Sequence, residues 1–145
     1  MRQWLTRIPG LLVLFQGIFV ALIPGVLFPI CESAHLGWIR EYEPSMRCFW
    51  FGQEEILLGL CVVMAGLGLL LKPTRDCCFA MGWILLALGV GIILISCNGV
   101  MGSTCGHAVS RCQIGTKPAS RLAGGLTCVF GVILLMGSFR RSRAS

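Results

Sequence analysis

The chain has 145 residues, of which 56% are hydrophobic and 12% charged, with a formal net charge of +6. A charged fraction about half of the roughly 25% usual for soluble domains excludes an ordinary water-soluble globule. The basic residues flank apolar runs rather than forming a separate domain, and no RNA-binding signature is present, so the positive charge does not call for a nucleic-acid partner.

The first apolar run covers residues 11–30, after Arg2 and Arg7. A helix of about 20 residues matches a hydrocarbon core about 30 Å thick. The run is longer than a signal-peptide core of roughly 7 to 15 residues and lacks a following A-x-A site, so it reads as a retained span. Acylation at Cys31 would need small residues before it, and Phe28, Pro29 and Ile30 stand there instead. Pro24 removes a backbone hydrogen bond inside the run and reads as a tolerated bend in preference to a binding crevice. Gln16, the notable polar residue of this span, is placed to hydrogen-bond across helices, a contact contributing about 1 kcal/mol.

A polar connection follows, with Cys31 and Cys48 near its ends, and then the aromatic trio Phe49, Trp50 and Phe51, which suits an interfacial belt. The second run, 56–71, is short, so its helix is expected to begin near Gly52 to Glu55. Glu54 and Glu55 would then complement the positive end of its dipole, with a cation-binding rim as the alternative. Lys72 to Asp76, with Pro73 as a stop, forms a tight turn before the run 79–96. A second connection holds Cys105, His107 and Cys112, and the last run, 122–139, ends in the basic tail Arg140, Arg141 and Arg143, read as a stop-transfer flank touching anionic headgroups.

These runs predict an all-α integral membrane four-helix bundle, a single domain over 1–145. The helices are placed at about 10–30, 53–71, 78–97 and 121–139, with outer loops 31–52 and 98–120. With both termini in the cytoplasm, that face carries Arg2, Arg7, Lys72, Arg75, Arg140, Arg141 and Arg143. The opposite face has Arg40, Arg47, Arg111, Lys117 and Arg121, spread over longer segments. The positive-inside rule therefore places both termini in the cytoplasm of a multi-pass protein in the inner (cytoplasmic) membrane.

That topology sorts the nine cysteines. Cys31, Cys48, Cys105 and Cys112 face an oxidising compartment and are expected to form disulfides, while Cys77 and Cys78 lie in the inner turn and stay reduced. Four cysteines allow three connectivities. Locality favours Cys31 with Cys48 and Cys105 with Cys112, and Cys97 is near enough to be an alternative partner. Each bridge would contribute about 2 to 4 kcal/mol.

Both connections reach their second cysteine directly after an arginine, Arg47 before Cys48 and Arg111 before Cys112, which suggests two helical hairpins related by an internal repeat. Each span also carries two glycines seven residues apart: Gly10 and Gly17, Gly59 and Gly66, Gly82 and Gly89, Gly124 and Gly131. Seven residues make nearly two full turns, so each pair shares a face. Membrane helices use such residues to bring backbones together, and these eight are expected to line the helix contacts.

No acid, lysine or histidine is expected deep in a span, where it would mark a functional site. No phosphate loop, zinc-protease helix or nucleophile elbow is present. His35, His107, Met46 and Met101 share the outer face and would suit a soft metal ion, but C-x-H-x4-C is not a zinc spacing. Paired outer cysteines also suit a quinone-linked thiol oxidoreductase, yet no C-x-x-C motif occurs.

Phe28-Pro29-Ile30-Cys31, then Met46-Arg47-Cys48 with Trp50 and Gln53 to Glu55, and later Cys105, Arg111-Cys112 and Thr116-Lys117-Pro118 resemble a family of small prokaryotic four-helix membrane proteins, domain-of-unknown-function family 4418. The likeness implies a four-span fold and no established reaction. Members often have a histidine where this chain has Phe49, which weakens a ligand role there. Some relatives appear beside export-type transporter components, which implies an accessory role. The expectation is a non-enzymatic accessory subunit without a cofactor, contacting membrane lipids and other membrane subunits, with thiol oxidoreductase and metal-handling protein as alternatives.

Overall fold

The structure is a computed structural model that describes residues 2–27, 47–97 and 112–143, with side chains described over 7–27, 50–97 and 114–139. Helix α1 (Arg2–Leu22) passes into a π-helical turn, Ile23–Leu27. Helix α2 covers Arg47–Leu71 and α3 Arg75–Ser96, and a second π-helical turn, Cys112–Thr116, leads into α4 (Lys117–Arg143). No strand occurs among the described residues. Four stretches are long and apolar enough to cross a membrane: Arg7–Leu27, Trp50–Leu71, Arg75–Ser96 and Ile114–Phe139. The shortest has 21 residues, about 30 Å at 1.5 Å per residue. The protein is an all-helical, multi-pass membrane bundle.

All four helix starts lie earlier than expected: Arg2 against 10, Arg47 against 53, Arg75 against 78 and Lys117 against 121. Nothing after Pro44 breaks a helix, and α2 extends back through the aromatic trio to Arg47. Helix α4 begins at Lys117 as a continuation of the π-helical turn Cys112–Thr116, and Pro118, which has no N–H to give, stands where the wider turn passes into the α-helix. The early start of α2 corrects the aromatic belt. Successive helical residues point about 100° apart, so Trp50 is exposed while Phe51 is fully buried. It also corrects the reading of Glu55, which lies two turns inside the helix rather than at its start.

Pro24 is buried in the π turn that ends the first span. A proline cannot donate to the carbonyl four residues back, and the wider turn is where the helix accommodates that loss. At the other end of the bundle, Lys72, Pro73 and Thr74 connect α2 to α3. Thr74 caps α3 by accepting from the Cys77 amide at 3.4 Å, and Asp76 sits in the first turn, complementing the dipole. This end, with the start of α1 and the finish of α4, is called the turn end below; the opposite one is the far end.

The helices pack most extensively as α1 on α2 and α3 on α4, with slighter contacts of α2 on α3 and α1 on α4. The reason can be read from one pattern present in every span. In each glycine pair the third residue after either glycine is buried: Val13 and Val20, Val62 and Leu69, Leu85 and Ile92, Thr127 and Leu134. Three residues turn a helix by about 300°. The glycines therefore face the hairpin partner while the following residues, 60° round, face the bundle axis. Seven of these eight axial positions are aliphatic; Thr127 is the exception.

The two hairpins use their glycines differently. In α1–α2 the glycines are staggered: a Cβ on Gly17 would stand 2.5 Å from the Val63 amide nitrogen, one on Gly66 2.6 Å from Leu14 N, and one on Gly59 2.6 Å from Ala21 N. Gly10 is looser, with the Leu70 side chain at 3.0 Å. In α3–α4 glycine meets glycine. A Cβ on Gly89 would lie 2.7 Å from the Gly124 carbonyl oxygen and one on Gly124 2.9 Å from that of Gly89. Gly82 and Gly131 repeat the arrangement at 3.1 and 2.8 Å. The hairpins share a glycine period but not a register.

Candidate functional site

Beyond Thr127, the buried polar groups gather towards the far end. Gln16 of α1 donates from Nε2 to the Ala123 carbonyl of α4 at 3.0 Å, and Thr127 gives its hydroxyl to the same carbonyl at 2.8 Å. Gln16 thus ties the first hairpin to the second. Farther out, Ser120 donates to the Thr116 carbonyl at 2.8 Å and Ser96, at the end of α3, to that of Ile93 at 2.7 Å. The Arg121 guanidinium crosses to the Ser96 carbonyl at 3.1 Å and closes the last turn of α3. Buried hydroxyls of this kind satisfy themselves on their own helix.

Glu55 departs from that rule. Its side chain is 0% exposed and neither carboxylate oxygen has a hydrogen-bond partner. The Ser120 hydroxyl lies within reach of the carboxylate, but its hydrogen is committed to Thr116.

The outward faces differ from helix to helix. Helix α1 presents Leu11, Leu12, Phe15, Phe19 and Leu22, and α2 presents Leu57, Leu60, Met64, Leu67 and Leu71. On α3, Ala80, Ala87 and Gly91 share one bearing, seven and eleven residues from the first, with Ala80 and Ala87 exposed and open space around Gly91. These small residues lie among the exposed Trp83, Ile84 and Leu94 of the same face, whereas the outward residues named on α1 and α2 are all bulky.

At the turn end a cavity of about 160 Å³ opens among all four helices, lined by Pro9, Gly10, Leu69, Arg75, Cys78 and Ser138. Its walls are mostly apolar, and Ser138 is satisfied by donating to the Leu135 carbonyl at 2.7 Å.

Of the cysteines singled out in the sequence, Cys31 and Cys105 lie outside the described residues, as do His35, Met46, Met101 and His107. Cys48 falls in the first turn of α2 and Cys112 opens the second π turn, with only their backbones described. Cys61, Cys77, Cys78, Cys97 and Cys128 are not joined in disulfides. No group of three metal-binding side chains occurs among the described residues. The eight seam glycines lie between paired helices, each buried.

Sequence reading missed the Glu55 environment, because it depends on α4 crossing beside α2. The signal that existed was Thr116 and Ser120 four residues apart, a hydroxyl pair on one helical face.

Comparison with curated proteins finds no match, and comparison with solved structures finds none either. One family model matches, described as a domain of unknown function, and it covers residues 13–136. That interval runs from the first axial valine of α1 to the last turns of α4, taking in both hairpins and the polar layer, and the chain belongs to this family, DUF4418.

Proposed function

We propose that the protein is a non-catalytic accessory subunit of the inner membrane, with cytoplasmic termini, that works by docking a larger membrane partner. The observation that carries this reading is the set of Ala80, Ala87 and Gly91, which share one bearing on the outward face of α3 and leave shallow ground between the larger exposed Trp83, Ile84 and Leu94. Lipid supplies no hydrophobic drive between helices, so association depends on close packing, and small residues permit it. The two seams inside the bundle, α1 on α2 and α3 on α4, already use glycine in this way. The small residues of α3 offer the same chemistry to a helix from outside.

In this reading Cys31, Cys48, Cys105 and Cys112 brace the outer loops as stable disulfides and take no part in turnover. The test is gentle detergent purification from the native source with mass spectrometry of what accompanies the chain. A stoichiometric membrane partner, retained when the four cysteines are replaced by alanine apart from a lower yield, is the expected outcome. A mixed disulfide with a secreted protein would instead establish a thiol oxidoreductase. Metal retained in proportion to the chain and lost with His35→Ala and His107→Ala would establish metal handling.

A further inference from the structure

Burying an ionised carboxylate without a partner is strongly unfavourable, and a buried acid inside a span is resolved by a proton, a counter-charge or a bound cation. Glu55 is fully enclosed with both oxygens unpartnered. The Ser120 hydroxyl, which contacts the Thr116 carbonyl at 2.8 Å, stands within reach of the carboxylate. An enclosed carboxylate in such surroundings persists only with positive charge beside it.

The neighbouring groups restrict what that charge is. Among the described residues, the charged or titratable side chains around this layer are Glu54 on α2, Lys117 and Arg121 on α4, and Cys97 just beyond α3; the far half of the first span, residues 17–27, has none. Arg121 is directed to the Ser96 carbonyl. No cluster of three acidic, histidine or cysteine side chains forms among the described residues, so a divalent ion would be left under-neutralised. One carboxylate and neutral oxygens match a single positive charge of the hard, oxygen-seeking kind. Glu55 is five residues from Trp50, where the span begins, about 7.5 Å along the helix.

We propose that Glu55 and Ser120 form an exchange site in which the carboxyl holds either a proton or a small monovalent cation of the sodium type. Entry of the cation releases the proton, so the net charge of the site is unchanged. Nothing in this proposal depends on the docking reading.

Dicyclohexylcarbodiimide is apolar and adds to protonated carboxyls, which makes it a direct probe. The full-length protein in mild detergent is treated at fixed pH in sodium chloride or in choline chloride, and the adduct is located by peptide mass spectrometry. Labelling at Glu55 is expected in choline, slowed about tenfold when sodium is near ten times its dissociation constant, and absent in Glu55→Gln. Ser120→Ala is expected to retain labelling while losing most of the sodium protection. An unlabelled Glu55 in the folded wild type overturns the proposal, and so does labelling indifferent to sodium. Both are read on the wild-type chain, so the result does not depend on the folding of a variant.

Discussion

Gly17 of α1 lies against the Val63 backbone of α2 so closely that a Cβ would stand 2.5 Å from the Val63 nitrogen. Replacing a helical glycine by alanine ordinarily stabilises by about 0.5–1 kcal/mol through the backbone. At Gly17 the clash is with backbone and cannot be relieved by a side-chain turn, so separating the helices costs about 1–3 kcal/mol and wins. Gly17→Ala is predicted to lower unfolding stability in detergent. Gly91→Ala, with nothing within 4 Å, is predicted to leave it equal or slightly raised. Parallel unfolding curves of the two variants check the contrast, and equal shifts would refute the register of the first hairpin.

The glycine-on-glycine contacts of α3 and α4 give a second prediction. Gly89 and Gly124 face each other's carbonyls, so one alanine pushes the helices apart and the second meets space already opened. The Gly89→Ala and Gly124→Ala pair is expected to be less destabilising than the sum of the single changes, with a coupling of about 0.5–3 kcal/mol. A double-mutant cycle measures it. Additive effects would mean the two glycines do not meet.

Gln16 supplies a polar tie between hairpins through its 3.0 Å bond to the Ala123 carbonyl. Gln16→Leu removes the donor, and Ala123 O still accepts from Thr127, so no buried acceptor is orphaned. The expected loss is modest, about 1 kcal/mol, with the fold retained. Thermal unfolding in one detergent at one pH reads it.

The proposed braces have their own chemical signature. Cys31, Cys48, Cys105 and Cys112 are predicted to resist a membrane-impermeant maleimide on intact cells until a reductant is added. Replacing a bridged pair by alanine is predicted to cost about 2–4 kcal/mol. Labelling without reductant would show that these thiols are free.

How much of this was legible in the sequence depends on whether the determinant was local. The four spans follow from the runs of apolar residues, and the glycine period stood in the sequence as pairs seven apart. The stagger that separates one hairpin from the other did not, because it depends on how two helices slide past each other. Glu55 was misplaced for a related reason. Its burial follows from two facts that no local pattern carries: α2 begins at Arg47, and Ser120 of α4 crosses beside it. Phe51 shows the same limit, since adjacent aromatic residues share composition but not direction.

The claim that the protein acts by contact through α3 is tested most directly by photocrosslinking in intact cells, with a diazirine amino acid replacing Ala87 or Gly91 and, as controls, Phe15 or Leu60. The account predicts one discrete heavier protein adduct from the two α3 positions and lipid adducts alone from the controls. Lipid adducts alone from Ala87 and Gly91 would contradict it.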